Sequence, residues 1–346
     1  MSPVKVAVSG INAVDNPGPG AGVARALKED RELEAEVFGL AYDAMEPGLY
    51  MDWLFDRCFV MPYPSAGGEP MVERLLYIKE SCGLDAVIPC LDSELPFYIQ
   101  YGAELARHGI RTFLPTREQF RLRSKDNLEQ AAKDLGILCP RTEVVTSPSQ
   151  LAAAVDRIGF PVMVKGPLYK AWRAHTLAEA SAYFGQLVAE WGYPVIIQEV
   201  VTGEEMNVVG VGDGEGGNLG LVCLKKSWIT ALGKMWTGVS VRHEGMLAAA
   251  ERVTGALGWR GPFELECIAH DDDEIYLVEI NPRFPAWSYF AAAVGQNLAS
   301  NLVRRMMELP LLENRAYEAG KLFVRYTYEL VTDLQSFQKI VTRGER

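Results

Sequence analysis

Strand-like and helix-like segments alternate through the first third of the chain. Runs of β-branched and other apolar residues predict strands at VKVAVSG, LEAEVFGL, LDAVIPC and IRTFLP. Between them, helical spacing of the apolar residues predicts helices at GAGVARALKED, MVERLLYIKESCG and YIQYGAELARHG. Because neighbouring parallel strands need a long crossover, which is usually a helix, this alternation predicts a parallel sheet. Residues 1–115 are therefore expected to form one doubly wound α/β domain.

The middle of the chain predicts a smaller α+β unit. A helix over 126–135 follows Ser124, a favoured N-cap residue, and precedes Gly136, a favoured stop. Strands are then predicted at TEVVT, FPVMVKG and YPVIIQEV, with helices at 148–158 and 177–190 between them. We expect the linker helix and this small unit to occupy residues 116–200.

The last part of the chain predicts antiparallel hairpins. GEGGN and DDD each separate two strand-like runs, as a hairpin turn does. Helices are predicted near 246–257 and 295–308, and they would cover the resulting sheet. A chain of 346 residues has room for such a third unit, which we place at 201–346.

Composition excludes several classes of partner. The formal net charge of −11 makes a nucleic-acid backbone an unfavourable partner. No apolar run approaches the ~20 residues that a membrane-spanning helix requires, and the N-terminus predicts a strand instead of a secretory signal.

The six cysteines are scattered, with no C-x-x-C pair, which favours reduced thiols in a cytoplasm. A homodimer is possible, since dimers are the commonest soluble assembly.

A glycine-rich loop, PGPGAG at 17–22, resembles a nucleotide-binding loop only in part. Its spacing is G-x-G-x-G in place of G-x-G-x-x-G, and no lysine follows it as in a phosphate loop. Its two prolines also remove N–H groups that a phosphate would need. The favoured interpretation is a loop entering a helix beside an interdomain cleft. A dinucleotide site with Asp43 on the ribose remains the alternative.

The segment VEINPRFPAW brings together two oxygen ligands and a cation. In a strand, residues two apart point to the same side, so Glu279, Asn281 and Arg283 would share one face. Val278 and Ile280 would then enter the core. A carboxylate, an amide oxygen and a guanidinium on one face suit a hard metal ion held against a phosphate.

The preceding strand adds two more carboxylates. Glu264 and Glu266 are also two apart, so they share a face of their strand. If the two strands pair around the DDD turn, two to four oxygen ligands converge. Like charges placed side by side are destabilising without a cation between them, and Mg²⁺ takes one or two carboxylates beside substrate phosphates. A purely structural role for the cluster is the alternative.

Four stretches together resemble the ATP-grasp superfamily. They are SKDN, FPVMVKG, VIIQEVVTGEEMNVVG and PFELECIAHDDDEIYLVEINPR, and EINPR is the most specific of these marks. The resemblance covers essentially the whole chain and is nearest to carboxylate–amine ligases related to carbamoyl-phosphate synthase and biotin carboxylase. It implies an ATP-grasp fold of mixed α/β and α+β class. An N-terminal Rossmann-like domain would precede a small lid subdomain and a larger catalytic subdomain with an antiparallel sheet.

The resemblance also implies residue roles. Arg283 would face the γ-phosphate or an acyl phosphate, as a catalytic residue. One or two Mg²⁺ ions, or Mn²⁺ in their place, would be held by Glu266, Glu279 and Asn281. The residues implied in binding ATP are Lys125, Lys165, Glu199, Val200, Val201 and Glu205.

Two departures from the family pattern concern the substrate pocket. Many members have a glycine- and serine-rich flap after the VKG lysine, whereas this chain has GPLYKAWRAHTL. Such a flap must grip phosphate by side chains or cover the substrate. After NPR, FPAW replaces the usual small residues.

The implied activity is an ATP-dependent ligation of a small-molecule carboxylate to an amine. A carboxylate resists attack by an amine because its leaving group would be an oxide, so it must first become an acyl phosphate. Phosphoryl transfer of this kind depends on positioning and charge neutralisation. The alternatives are an ATP-grasp kinase or carboxylase, or an ATP-binding protein without catalysis. A carboxylase would normally depend on biotin, and the sequence shows no biotin-acceptor segment.

Substrate residues are predicted in two places. CLDSELPFY follows a strand of the first domain, where ligands of open α/β sheets gather, so Asp92 and Glu94 are candidates to bind an amino group. Acidic residues that favour a helix dipole are the alternative. KKSWITALGKMWTG predicts a carboxylate-binding segment, in which Lys234 is the best single candidate. Its other cationic candidates are Lys225 and Lys226.

Overall fold

The computed structural model describes most of the chain. The described residues are 3–14, 16–166, 170–230, 234–270, 274–313, 315–327 and 329–346, without the side chains of residues 14, 16, 125 and 126.

The N-terminal unit is a parallel α/β sheet, as predicted. Its sheet has the order β5-β4-β1-β6, and every neighbouring pair is parallel. The elements in chain order are β1 (Lys5–Val8), β2 (Ala13–Val14), β3 (Asn16–Pro17), α1 (Pro19–Glu29), β4 (Glu36–Ala41), β5 (Arg57–Val60), α2 (Gly68–Cys82), β6 (Ala86–Ile88) and α3 (Leu95–Arg107). The short strands β2 and β3 form a separate hairpin before α1.

One predicted strand of this sheet was wrong. IRTFLP contributes only a parallel bridge between Ala86 and Arg111, and the fourth strand is β5, which no sequence pattern predicted. β5 is stabilised by pairing over long sequence distances. Its Cys58 exchanges two backbone hydrogen bonds with Arg346, at 2.9 and 3.1 Å. A four-residue strand of this kind has no local signature, because its partners come from both ends of the chain.

The glycine loop packs α1 closely against the end of β1. The N–H of Gly18 donates to the carbonyl of Asn12 at 2.7 Å, and the N–H of Gly20 donates to the carbonyl of Gly10 at 3.0 Å. A Cβ at Gly20 would lie 2.0 Å from the carbonyl oxygen of Ser9. The glycines therefore permit close packing, and two of the amides that a phosphate would need already have protein acceptors.

Gly20→Ala is expected to lower the free energy of unfolding by about 3 kcal/mol, because the added methyl group overpacks a contact between two backbones. The matched control is Gly185→Ala, where a Cβ would meet no atom within 4 Å. That change, inside a helix, is expected to stabilise by about 0.5–1 kcal/mol. Chemical denaturation of both variants tests the assignment, and equal stabilities would contradict it.

The middle unit contains a linker and a small antiparallel sheet. The linker carries α4 (Arg117–Arg121) and α5 (Lys125–Asp134). The lid, as we name residues 142–199, has sheet order β7-β10-β8-β9. Its elements are β7 (Thr142–Val145), α6 (Pro148–Ile158), β8 (Val162–Lys165), β9 (Ala171–Ala174), α7 (Leu177–Trp191) and β10 (Val195–Glu199). The helix predicted at 148–158 is confirmed, whereas β9 was not predicted. The lid has its own apolar core, with Val155, Phe184 and Ile197 among its members.

The C-terminal unit is a six-stranded antiparallel sheet of order β15-β14-β11-β12-β13-β16. Its elements are β11 (Glu204–Asp213), β12 (Asn218–Ile229), β13 (Met235–Ser240), α8 (Glu244–Leu257), β14 (Arg260–Ala269), β15 (Ile275–Asn281), α9 (Tyr289–Ala293), α10 (Leu298–Met306), β16 (Leu322–Val324) and α11 (Leu334–Arg343). One continuous core joins this unit to the N-terminal one, with α1 packed against α9 and α10. Among the described helices, none combines the length and apolar character that a membrane crossing requires.

Candidate functional site

Two neighbouring strands bring four oxygen-bearing side chains onto one face of the large sheet. In the pairing of β14 with β15, Glu264 lies opposite Asn281 and Glu266 lies opposite Glu279. Residues directly opposite each other share a face. We call these four residues the acidic cluster. The predicted pairing around the DDD turn is confirmed, although Asp271–Asp273 themselves lie outside the described residues.

A β-bulge sets which side chains of β15 join the cluster. The pairing shifts by one residue between Glu266 and Cys267, so that Cys267 faces Leu277 and Val278 is the extra residue. Leu277 and Ile280 are buried, whereas Val278 is only half-buried. The prediction that Val278 enters the core was therefore wrong. Without this bulge, Leu277 would share a face with Glu279 and an apolar side chain would enter the cluster.

Glu264 is the most deeply buried member of the cluster, with 4% of its surface exposed. Its carboxylate accepts hydrogen bonds from Asn207 Nδ2 and Trp287 Nε1, each at 2.6 Å, and from Asn281 Nδ2 at 3.1 Å. Burial, and then the charge of Glu266, raise the pKa of Glu264. Trp287 is the last residue of FPAW, the segment that replaces the usual small residues after NPR. Its indole N–H therefore helps to hold the Glu264 carboxylate in place.

Glu266 is paired with a lysine of β12. The Lys226 ammonium lies 2.7 Å from Glu266 and 3.5 Å from Glu205. Burial alone would raise the pKa of Glu266, but Lys226, followed by Arg283 and Asn281, lowers it overall. Burial likewise opposes the charge on Lys226, yet Glu266 and Glu205 raise its pKa. The Lys226 ammonium is therefore in direct contact with one carboxylate of the acidic cluster.

Lys225 is not brought to the cluster. It lies in register with Met206, which in turn faces Cys267, and this row occupies the opposite side of the sheet from Glu266. Its ammonium pairs with Glu204. Adjacent strand residues point to opposite faces, so Lys225 and Lys226 cannot line the same pocket while the strand is regular.

Arg283 links the cluster to the N-terminal unit. Its Nε donates to Asp92 Oδ2 at 2.8 Å, and its Nη2 donates to Asn281 Oδ1 at 3.3 Å. Arg123 donates to the other oxygen of Asp92 at 2.7 Å. Asp92 is therefore at the site, but its carboxylate lies between two guanidinium groups.

Glu94 is turned away from this junction into the N-terminal unit. It is fully buried, and burial raises its pKa. Its carboxylate accepts from the hydroxyls of Ser9 and Tyr42 and from the N–H groups of Cys90 and Leu91, the latter two at 2.9 Å. Four protein donors thus use the oxygens that were expected to bind an amino group.

The residues expected at the nucleotide lie at the junction of the lid and the large sheet. On β8, Lys165 donates to Gln198 of β10. Arg141 donates to both oxygens of Glu199, each at 3.2 Å, and lowers its pKa.

The remaining predicted site residues lie after β10, at the start of β11, on α5 and before β13. Val200 and Val201 follow β10 and are half-buried, and Glu205 is exposed at the start of β11. The side chain of Lys125 lies outside the described residues. Lys234 is half-buried just before β13, and its carbonyl accepts from the N–H of Thr230 at 2.7 Å.

The unusual flap uses several of its large side chains within the lid. Trp172 stacks on Tyr183 with ring centroids 5.4 Å apart, and Lys170 pairs with Glu190 at 2.6 Å. These contacts fix β9 to α7. Trp172 and Lys170 therefore have structural partners, while Tyr169 lies outside the described residues.

Arg325 is a site residue that the sequence patterns missed. Phe323 and Lys226 both lie opposite Gly238, so they share the face of the acidic cluster, and Arg325 is two residues beyond Phe323. Its guanidinium donates to the carbonyls of Met235 at 3.3 Å and Ala286 at 2.7 Å. Burial lowers its pKa to about 10. Its pairing with β13 spans about eighty residues, so no local pattern could have indicated its position.

The cluster fits a divalent cation that completes its shell with other ligands. Within the described ranges, no group of three His, Cys, Asp or Glu side chains is arranged to hold a metal ion by itself. Mg²⁺ needs only one or two carboxylates when phosphates and water supply the rest. Asn207, in register with Glu266, has a buried Oδ1 without a hydrogen-bond partner among the described atoms. An unsatisfied acceptor beside two carboxylates suits a cation.

Sequence comparison connects this site with known proteins. Residues 172–286 match the family model described as "ATP-grasp domain". The chain is 23% identical over 228 residues to the carbamoyl phosphate synthase arginine-specific large chain of Bacillus subtilis, covering 62% of this chain and 22% of that protein. It is 27% identical over 150 residues to the phosphoribosylamine–glycine ligase of Synechocystis, covering 42% and 36%. The chain therefore spans about a third or less of these relatives.

Solved structures share the fold over nearly the whole chain. N5-carboxyaminoimidazole ribonucleotide synthetase from Thermus thermophilus has a TM-score of 0.66 at 16% identity, covering 98% of this chain and 97% of that one. Biotin carboxylase from Campylobacter jejuni has a TM-score of 0.69 at 14% identity, covering 92% and 74%. The L-amino acid ligase from Bacillus licheniformis has a TM-score of 0.66 at 15% identity, covering 88% and 74%. These similarities confirm the predicted fold.

Proposed function

We propose that this chain, which carries an ATP-grasp domain on the fold of that superfamily, is an ATP-dependent carboxylate–amine ligase. It would form an acyl phosphate from a small carboxylic acid and release ADP and phosphate as the amine is joined. The observation that carries the proposal is the acidic cluster, with Lys226 and Arg283 on the same face of the sheet. Alternating acidic and basic groups on one face match the charges of a metal-bound triphosphate.

The cluster would hold one or two Mg²⁺ ions through Glu266, Glu279 and Asn281. Glu264 also belongs to the acidic cluster and would be a further oxygen ligand. Bound Mg²⁺ would neutralise phosphate charge and polarise the phosphoryl group that is transferred. Mn²⁺ has the same preference for oxygen ligands and would replace it.

ATP would lie between the lid and the large sheet. Lys165 would reach its phosphates, together with Lys125 at the start of α5. Glu199, Val200 and Val201 would face the adenine edge. Glu205 at the start of β11 would bind the ribose. The position of Glu199 at the end of β10 supports this arrangement, because the chain passes there from the lid sheet towards β11 of the large sheet.

The reaction would proceed in two displacements. A substrate carboxylate oxygen attacks the γ-phosphorus and ADP leaves, which gives the acyl phosphate. The amine then attacks the acyl carbon, phosphate leaves, and the amine loses its proton to form the amide. Arg283, which donates to Asp92 and Asn281, would stabilise charge on the transferred group. Closure of the lid would exclude water, which would otherwise hydrolyse the acyl phosphate.

The substrate carboxylate would bind near β13 and β16. Arg325 supports this, because it is a partly buried cation whose guanidinium donates to two backbone carbonyls and, among the described residues, forms no ion pair with a carboxylate. Lys234 and Lys226 are further candidates on adjoining segments.

Arg325→Gln is expected to raise the KM for the carboxylate by at least about tenfold, because a charged hydrogen bond is worth roughly 1.5–3 kcal/mol. The KM for ATP should change little. Arg31→Gln, at an exposed position after α1 and away from the acidic cluster, is the control. Steady-state kinetics with each substrate varied in turn make the comparison, and an unchanged carboxylate KM would remove Arg325 from the pocket.

The proposed activity is tested by release of ADP and phosphate with a panel of amino acids and small carboxylic acids, each with and without an amine. A ligase gives one ADP and one phosphate for each amide formed. A phosphorylated product that is stable without an amine would indicate a kinase. ATP binding without turnover on any panel member would indicate a non-catalytic protein.

The cellular location and the partners of the enzyme are also proposals. We place it in the cytoplasm, where its six free cysteines would stay reduced. Its partners would be the small-molecule substrates and a second copy of the chain in a homodimer.

A further inference from the structure

A cleft between the N-terminal and C-terminal units lies apart from the acidic cluster. It has a volume of about 540 Å³ and runs between α3, the segment 111–117, the start of β14 and the end of α10. None of its lining residues belongs to the acidic cluster or to its ion pairs. We call it the arginine cleft, after Arg111, Arg117, Arg260 and Arg305 in its wall.

The arginine cleft is strongly basic in an acidic protein. Four arginines line it, and Glu308 is the one acidic residue among its lining residues, all of which lie in the described part of the chain. Glu308 is 84% exposed and lies 3.5 Å from Arg111. The whole chain has a formal charge of −11, so a cleft lined by four arginines differs in sign from the protein as a whole.

Arg305 pairs with Glu215, outside the cleft, at 2.6 Å, whereas the charge of Arg260 is not neutralised by a carboxylate of any described residue. The Arg260 guanidinium donates to the carbonyl of Thr112 at 3.3 Å and lies 4.5 Å from the ring centre of Phe113. Arg305 approaches the same ring at 5.9 Å, and burial, followed by the charge of Arg305, lowers the pKa of Arg260. Since arginine stays protonated at neutral pH, this repulsion is a standing cost to the fold.

An oxyanion between these guanidinium groups would remove that repulsion. Guanidinium groups match phosphate oxygens with paired, charge-assisted hydrogen bonds. A dianionic phosphate would offset more of the excess charge than a carboxylate does. The volume lies within the range of roughly 300–1,000 Å³ of small-molecule sites, which leaves room for an organic group beside the phosphate. Ile99, Ala103 and Leu114 give that space apolar walls.

We propose that the arginine cleft binds the phosphate group of a small phosphorylated molecule, at a site separate from the nucleotide. Arg260 and Arg305 come from the C-terminal unit, while Arg111 and Arg117 come from the segment that leaves the N-terminal unit. A bound phosphate would therefore bridge the two units and stabilise their junction.

The test uses inorganic phosphate as the probe, titrated by calorimetry in a phosphate-free buffer. The native chain should show saturable binding and a rise in melting temperature. Arg260→Gln should weaken the binding by about tenfold or more, because it removes a charged donor. Arg107→Gln, on α3 but outside the cleft, is the matched control and should bind as the native chain does. Glu308→Gln should bind severalfold more tightly, since it removes the acid that competes for Arg111.

A second variant separates this site from the proposed nucleotide site. Lys226→Gln alters the acidic cluster and should leave phosphate binding in the arginine cleft intact. Binding that is lost in Lys226→Gln but kept in Arg260→Gln would overturn the proposal. So would the absence of saturable binding in the native chain. Neither result would bear on the ligase activity, which is measured separately by ADP release.

Discussion

Glu279→Gln is expected to lower ATP turnover by about 10²–10³-fold while the protein remains folded. Glu279 is an exposed member of the acidic cluster, directly opposite Glu266, so the substitution removes one negative charge with almost no change in shape. A cation held between Glu266 and Glu279 would lose one anionic ligand. Loss of one preorganised electrostatic contact to a transferring group typically costs this much in rate.

The control for this prediction is Glu274→Gln, an exposed carboxylate just before β15. Its turnover should match that of the native chain. Metal binding gives a readout that does not depend on turnover. Calorimetric titration of Mn²⁺ in the presence of a non-hydrolysable ATP analogue should show weaker binding for Glu279→Gln only. Full turnover of Glu279→Gln at low Mg²⁺ would show that Glu279 is not a metal ligand.

Asp30→Ala is expected to destabilise the protein by about 3–5 kcal/mol, the largest stability effect that we predict. Asp30 and Arg304 form a buried ion pair between α1 and α10, with side chains only 6% and 8% exposed. Both carboxylate oxygens accept from Arg304, at distances of 2.9 to 3.3 Å. Removing the carboxylate leaves a buried guanidinium without its bidentate partner. Because the pair joins the N-terminal and C-terminal units, the loss should also weaken their junction.

A double-mutant cycle isolates this interaction. Asp30→Ala combined with Arg304→Met should recover part of the lost stability, since no buried charge is then left without a partner. Glu313→Ala, which breaks an exposed pair with Arg315, should leave stability essentially unchanged. Free energies of unfolding from chemical denaturation provide the test. Additive effects of the two substitutions would mean that the pair contributes no coupling.

The acidic cluster could be predicted because it depends on local alternation. Glu264 and Glu266 are two apart, as are Glu279 and Asn281, and a hairpin around a short polar turn places such pairs side by side. The same rule failed at Val278 because a bulge inserts one residue into β15. A bulge depends on how two strands fit together, and neither strand shows it alone.

Features that depend on distant partners could not be predicted. Arg325 reaches the cluster face only because β16 pairs with β13, and β5 pairs with β4 on one side and with the end of the chain on the other. Asp92 was placed correctly at the carboxyl end of the parallel sheet. That it lies between Arg283 and Arg123 depends on how the two units meet, which no local pattern shows.

The most direct test of the whole account is a crystal structure with Mn²⁺ and a non-hydrolysable ATP analogue, in which anomalous scattering locates the metal. We expect a peak within bonding distance of Glu279 and of Glu266 or Asn281, with the triphosphate on the same side and the adenine near Glu199. The proposal would be contradicted if the nucleotide and the metal were bound elsewhere while Lys226 still paired with Glu266 and Arg283 still donated to Asn281.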